Sequence, residues 1–440
     1  MNIIVLDLFY KGSMKSLSIL TKFVFVVGLA FVQLVAFGQK IDLGNGEYRA
    51  LLERSDGNDI VFNFLVIDRK IGNKRLFIQN AGELIQVDNI SQSGDSIIIE
   101  MPFFEAQLHL RRAAPGQLSG YYYKHLQNSY QVIPMEANQL TVKHGEANRN
   151  EYMRFPLASV AAPSKVAGRW AVTFRDDSTG VTTADVGEFV QHGNKVTGTF
   201  LDPTGDYRYL EGVVDGDSLK LSCFDGSHAY LFTARIKGDK MTGRHYAGPT
   251  FKNSWTARRD EQAKLADEFT LTKMRPGNSS LHFRFRDLNG KFVSLKAKRY
   301  QNKVVVVQLM GSWCPNCMDE TAVLAKMYDH YHRKGLEVIG LAYERSTNFE
   351  RSRTSLENFH KHLGVHYEML ITGVSVYDSL KTQKTLPELS NIEGFPTTIF
   401  LGKDHQVERI HTGFNGPGTG EHYEEQKKEF YNIVDGLLAQ

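Results

Sequence analysis

The chain has 440 residues and a formal net charge of +3. That length is long for one domain and suits two or three. The near balance of charge, with no long run of Lys or Arg, argues against a nucleic-acid or other polyanionic partner.

Residues 1–38 read as a secretory signal. Lys15 and Lys22 precede an apolar run from Phe23 to Phe37, broken only by Gln33, and Ala36-Phe37-Gly38 supplies small residues at a cleavage site near Gln39. A membrane anchor is the competing reading, but the run is short against the ~20 apolar residues a span needs. Met14 makes a better start than Met1, because Met14-Lys15 opens a normal charged segment. No cysteine follows the run, which argues against a lipid anchor. The expected location is therefore the periplasm.

Residues 39–160 and 161–262 read as two tandem all-β domains, small antiparallel barrels or sandwiches. Runs such as Ile60 to Ile67 and Ser96 to Met101 alternate with turn clusters such as Asp56-Gly57-Asn58 and Gly94-Asp95. The region repeats itself. Gly46-Glu47-Tyr48 recurs as Gly168-Arg169-Trp170, Gly94-Asp95-Ser96 as Gly216-Asp217-Ser218, and Gly116 as Gly238, each at an offset of 122. Asn128-Ser129-Tyr130 matches Asn253-Ser254-Trp255 at a slightly larger offset. Several anchors at one spacing point to a duplication, with six to eight strands per unit. The opening Gly-x-aromatic and closing aromatic strand resemble a lipocalin-type barrel. Tyr48, Trp170, Tyr130 and Trp255 are expected to pack in the cores, with a ligand pocket as the alternative. In Tyr121-Tyr122-Tyr123 adjacent residues alternate faces, so at least one ring must point away from the core. Gln131 to Lys165 reads as the connector between units, and Asp260 to Asp267 as a short charged helix leading to the last domain.

From 267 to 440 the pattern turns to alternating strand and helix, an α/β domain. Asp287-Leu288-Asn289-Gly290 sits between two short apolar runs and predicts a hairpin. Val304 to Leu309 is a buried strand. It ends in Gly311-Ser312-Trp313-Cys314-Pro315-Asn316-Cys317 and a helix that Gly335 stops. Pro315 fits the first helical turn. Cys314 then sits at the helix N-terminus, where unpaired N–H groups and the dipole favour a thiolate. Cys317 lies one turn on, within reach of a disulfide. Further strands are predicted at Leu336 to Ala342, Met369 to Ile371, Gly394 to Leu401, opened by a proline, and Val407 to His411. Helices are predicted around Phe349 to Phe359 and Asp378 to Lys384, and from Glu421 to Leu438.

Residues from about Phe269 onward resemble the thioredoxin fold, and more narrowly the TlpA/ResA-like family of exported thiol-disulfide oxidoreductases. The motifs are Asp287-Leu288-Asn289-Gly290-Lys291, Trp313-Cys314-Pro315-Asn316-Cys317, Gly335-Leu336-Glu337-Val338-Ile339-Gly340 and Gly394-Phe395-Pro396-Thr397-Thr398. The resemblance implies that Cys314 is the attacking thiol, Cys317 the resolving thiol, and that the two form a disulfide. It implies that Pro396 is a cis-proline that, with Phe395, holds a substrate strand. Trp313 and Pro315 would shape the same site. Glu320 would exchange a proton with Cys317, the alternative being a solvated helix residue. Expected partners are protein disulfides and a membrane electron donor, with no cofactor and no metal. The sequence departs from the family in two places: Ala322 stands where relatives have a helix-kinking proline, and Asn316 stands where proline is usual.

Two other readings compete. The β units could hold a partner, making the chain a binding or adaptor protein. The thiol pair could bind Cu(I), with His405 and His411 as loose candidate ligands, although two cysteines alone do not close a zinc site. A peroxidase is weaker still, because no Pro-x-x-x-Thr-x-x-Cys surrounds Cys314. Cys223 reads as a buried core residue. The glycine-rich stretch Gly413 to Gly420 lacks the lysine of a phosphate loop and reads as a connection before the last helix.

Overall fold

The computed structural model describes residues 41–70, 73–140, 154–158, 162–265 and 267–440. The expected signal segment, 1–38, lies outside them. Among the described residues no helix is long and apolar enough to cross a membrane.

The first nine strands are β1 (Gly46–Leu52), β2 (Ile60–Lys70), β3 (Asn73–Asn80), β4 (Glu83–Val87), β5 (Ile90–Ser93), β6 (Ser96–Glu100), β7 (Ala106–Ala114), β8 (Gln117–His125) and β9 (Tyr130–Gln139). They form one antiparallel sheet in the order β4-β3-β2-β1-β9-β8-β7-β6-β5, with no ladder joining β4 to β5 among the described residues. β9 corrects the expected connector, which began at Gln131. Pro134 disguised the strand. It pairs with Tyr121 on one side, and on the other it lies just beyond the last β1 partner, Met135, where its missing N–H costs no ladder bond.

The second set is β10 (Gly168–Arg175), β11 (Thr182–His192), β12 (Lys195–Asp202), β13 (Gly205–Asp206), β14 (Leu210–Asp215), β15 (Ser218–Phe224), β16 (Ala229–Lys237), β17 (Lys240–Ala247) and β18 (Phe251–Arg259). Each long strand pairs with its neighbours in sequence, and β10 pairs with β18, so eight strands close into a barrel. β13 is a two-residue appendage on β12. Both units thus carry nine strands, more than the six to eight expected. Residues 260–265 form turns and coil, not a helix.

Alternation along the strands fills the second barrel. Trp170, Val172 and Phe174 point inward from β10 and meet Phe200, Phe232 and Trp255. Cys223 lies in the same core, as expected. Tyr48 and Trp170 hold matching places: the Tyr48 hydroxyl donates to the Gly44 carbonyl (3.1 Å) and the Trp170 indole to the Val166 carbonyl (2.9 Å). The closing aromatics differ. Trp255 is 1% exposed, whereas Tyr130 is 61% exposed and stacks on His125, so the expected core role fails there. In the tyrosine run Tyr122 is buried and Tyr121 exposed, as the strand alternation requires.

One apolar cluster crosses between the β units. Phe62 of β2 stacks on Phe224 of β15 with centroids 4.2 Å apart, and the Tyr122 hydroxyl donates to the Gly226 carbonyl (3.0 Å).

The last domain has β19 (Arg284–Asp287), β20 (Phe292–Ser294), β21 (Val304–Met310), α1 (Pro315–Tyr331), β22 (Leu336–Ala342), α2 (Phe349–Leu363), β23 (Glu368–Ile371), α3 (Lys381–Thr385), β24 (Thr397–Leu401), β25 (Val407–Thr412) and α4 (Glu421–Ala439). The sheet order is β20-β19-β23-β22-β21-β24-β25, with β21, β22 and β23 parallel and the rest antiparallel. β21 is buried throughout. Val304 and Val306 face the cluster built by α1, α2 and α4, while Val305 and Val307 face the opposite one. A strand covered on both sides explains why valine runs without polar interruption, Gln308 excepted. α1 continues unbroken across Ala322, and Gly335, at φ 109°, ends the turn that follows it.

Candidate functional site

The site forms where β21 ends and α1 begins. Pro315 occupies the first helical position and Cys314 caps the helix: the Cys317 amide donates to Cys314 Sγ at 3.2 Å. The two cysteines are joined as a disulfide with Cα atoms 5.2 Å apart. When the pair is reduced, the same amide and the helix dipole stabilise a Cys314 thiolate.

The loop before β24 supplies the second wall. The Phe395–Pro396 bond is cis, and Cys314 Sγ lies 3.7 Å from the Phe395 carbonyl oxygen. Trp313 packs edge-on against Phe395 with ring centroids 5.9 Å apart, and its indole donates to the Tyr343 carbonyl (2.8 Å). The structure therefore brings Trp313, Cys314, Pro315, Cys317, Phe395 and Pro396 together.

Glu320 is one turn beyond Cys317 and fully buried, not a solvated helix residue. Gln308 Nε2 donates to its carboxylate (2.7 Å) and lies 3.4 Å from the Cys317 carbonyl oxygen, and the Thr398 hydroxyl donates to the other carboxylate oxygen (2.7 Å). Burial pushes the Glu320 carboxyl up to about 7, against the lowering effect of those two hydrogen bonds. A second buried carboxylate, Glu344, accepts from the Ser312 amide (2.8 Å) and hydroxyl (2.7 Å), and burial raises it also to about 7. Both can therefore change protonation near neutral pH.

Gln308, Thr398 and Glu344 were not singled out from the sequence. Gln308 had a signal, as the one polar residue in a valine strand. Glu344 had none, because its partner Ser312 lies on another strand end. His411 and His405 are not brought to the thiols. His405 contacts the Tyr300 carbonyl (2.7 Å), and His411 is buried against Gln426, Phe269 and Phe430. Among the described residues no group of His, Cys, Asp and Glu could hold a metal. The Gly413 to Gly420 stretch lies beside the site: the Phe414 carbonyl accepts from the Asn316 amide (3.2 Å).

Residues 264–410 match the model of the AhpC/TSA family. Among curated relatives, the thiol-disulfide oxidoreductase ResA of Halalkalibacterium halodurans is 25% identical over 140 residues, covering 32% of this chain and 69% of the relative. ResA of Bacillus subtilis is 25% identical over 137 residues, covering 31% and 67%. Similar solved structures include a thioredoxin-family thiol:disulfide interchange protein from Chlorobium tepidum (TM-score 0.27, 19% identity, 38% of this chain and 99% of that one). A thiol-disulfide oxidoreductase from Bacteroides fragilis gives TM-score 0.27 and 19% identity, over 35% and 99% of the two chains. The sequence matches thus fall on the domain that carries the cysteine pair, and that domain is similar to curated thiol-disulfide oxidoreductases named ResA.

Proposed function

We propose that this chain is an exported enzyme that reduces protein disulfides through Cys314 and Cys317, with residues 1–38 directing it to the periplasm. The observation that carries the reading is the position of Cys314, capping α1 beside the Phe395–Pro396 loop. In the reduced enzyme the Cys314 thiolate attacks one sulfur of a substrate disulfide and expels the other as a thiolate. Cys317 then attacks the mixed disulfide at Cys314 Sγ. The substrate leaves as a dithiol and the enzyme keeps the disulfide, so two electrons and two protons pass to the substrate. Cys317 must lose its proton for the second step. Glu320 is assigned as the acceptor, because it sits one turn away on the same helix, its carboxyl lies at about 7, and Gln308 and Thr398 hold it in place. Trp313, Pro315, Phe395 and Pro396 form the surface for the substrate strand. A membrane donor re-reduces the pair. The two β units are read as copies of one ancestral unit.

The test is the reduction potential of the pair, by equilibrating the chain from Gln39 onward with glutathione. A value near roughly −270 mV or lower supports a reductase, whereas one near about −120 mV would reverse the assigned direction. A pair that never cycles would leave the adaptor reading in its place.

A further inference from the structure

Cys314 is only 5% exposed, and Pro315, Asn316 and Cys317 are buried with it. The cover is the second β domain. The turn at residues 203–206, which follows β12 and includes β13, presses on three separate segments around the disulfide. Gly205 lies so close to Asn316 that a Cβ there would fall 1.9 Å from Asn316 Nδ2. Thr204 Cγ2 fills the space beside Gly394, 2.4 Å from where a side chain would begin. The Pro203 carbonyl oxygen stands 2.8 Å from the corresponding point on Gly413. Hydrogen bonds tie the turn down. The Asp206 carbonyl accepts from Asn316 Nδ2 (3.4 Å), and its carboxylate accepts from the Gly416 amide (2.6 Å). From another loop of the same barrel, the Ser227 hydroxyl donates to the Trp313 carbonyl (3.1 Å).

Just beyond the turn, Arg208 is fully buried where three domains meet. It pairs with Asp319, two residues past Cys317, and with Glu83 of the first β domain, and Asp225 is 3.9 Å away. The barrel is thus fastened to the active-site helix by charge as well as by shape.

We propose that the turn at 203–206 determines specificity in thiol–disulfide exchange: it lets small thiols reach Cys314 and excludes protein disulfides until the second β domain draws back. The proposal rests on Cys314 being the exchanging sulfur. Exchange requires a thiolate to approach a disulfide sulfur, so access limits the rate. A small thiol needs only a local opening at the turn, whereas a protein needs the whole contact to part. With a small thiol, one thiolate attacks Cys314 Sγ and releases Cys317. A second resolves the mixed disulfide, leaving a small-molecule disulfide and the reduced pair.

The experiment uses the full chain with the pair reduced. It compares the rates at which Cys314 reacts with N-ethylmaleimide and with a maleimide carrying a long polyethylene glycol chain, each normalised to the unfolded chain. Modified peptides are identified by mass. The bulky reagent should be slower by roughly tenfold or more in the folded protein. Gly205→Ala, whose new Cβ has no room over Asn316, should narrow the ratio. Thr204→Gly, which empties the space beside Gly394, should narrow it less and serves if Gly205→Ala does not fold. Equal normalised rates in the unaltered chain would overturn the proposal, as would a ratio unchanged in both variants. Alkylation needs no redox turnover, so the two failures are distinguishable. A shielded but redox-inert pair sinks the oxidoreductase reading and with it the specificity role, leaving only the steric cover. A pair that exchanges with protein disulfides yet reacts equally with both reagents sinks this one alone.

Discussion

The two β units have the same number of strands, yet among the described residues only the second closes. β10 to β18 form a ring through the β11–β12 and β10–β18 ladders, while the first sheet stops at β4 and β5. Their contacts with the thiol domain differ to match. The closed barrel sends the 203–206 turn onto the disulfide itself. The first unit holds the domain from the side: Phe103 packs against Phe359, and Glu105 takes a two-pronged ion pair from Arg351 of α2 (2.9 and 2.8 Å). A cleft of about 400 Å³ remains between them, lined by Phe104, Tyr123, His125, Ser312, Arg351 and Phe359. Similar units therefore take different roles: the closed barrel presents a turn, and the other sheet offers a loop and a side clasp.

Four changes test that contrast. The largest effect is expected for Arg208→Ala. It strands Glu83, Asp225 and Asp319 in a buried junction, and loss of one partner from such a site costs roughly 3–5 kcal/mol. Chemical denaturation should show a lower midpoint, with the Trp313 signal moving together with those of Trp170 and Trp255. A midpoint within error of the parent would mean the junction does not couple the domains.

The matched aromatics come next. Trp255→Ala should cost about 3–5 kcal/mol by leaving a void in the closed barrel. Tyr130→Ala, at the exposed start of β9, should stay within ~0.5 kcal/mol because the ring is in solvent. Similar losses in both would show that the two closing strands are packed alike after all.

The third change tests pH dependence. Burial raises Glu320 from its ordinary 4.5 to about 7. Between those values the folded chain holds a proton that the unfolded chain has released. The stabilisation is therefore complete below about 4.5 and is lost as the pH rises through 7. Glu344 acts with the same sign. Glu320→Gln should remove its share of the decline, on the order of 3 kcal/mol between pH 4.5 and 8. It should also remove a pH-dependent step near 7 from Cys317 reactivity. Thermal unfolding across that pH range measures the first part. A slope identical to the parent would rule out Glu320 as its source.

The smallest of the interdomain effects is assigned to Arg351→Ala. It cuts the clasp to Glu105 and to the Leu126 and Gln127 carbonyls, charged hydrogen bonds that are part-buried, for about 1–2 kcal/mol. Amide exchange should rise in residues 101–105 and not in 203–206. Faster exchange at both would mean the two units open as one.

Much of the thiol domain was legible before any coordinates. The valine run, the Pro after the first cysteine, the Asn-Gly hairpin and the Gly after the first helix are local signals, and each produced the element it predicted. Local signals also misled. Pro134 hid β9, because a proline looks like a break unless one knows that the neighbouring strand has already ended. Tyr130 was expected inside by analogy with Trp255, but the register against β1 and β10 makes Met135, opposite Leu52, the buried counterpart of Trp255, opposite Phe174.

The sequence alone dictates the order of elements in the last domain, the cysteine pair at a helix start, and the β character of the described residues between 41 and 262. Those follow from backbone periodicity and capping, which act over a few residues. Only the tertiary structure decided that the second unit closes, that Glu320 and Glu344 are buried enough to hold protons near pH 7, and that Gly205 and Arg208 meet residues 316 and 319. Those depend on desolvation and contact between segments more than a hundred residues apart, which no pattern along the chain records.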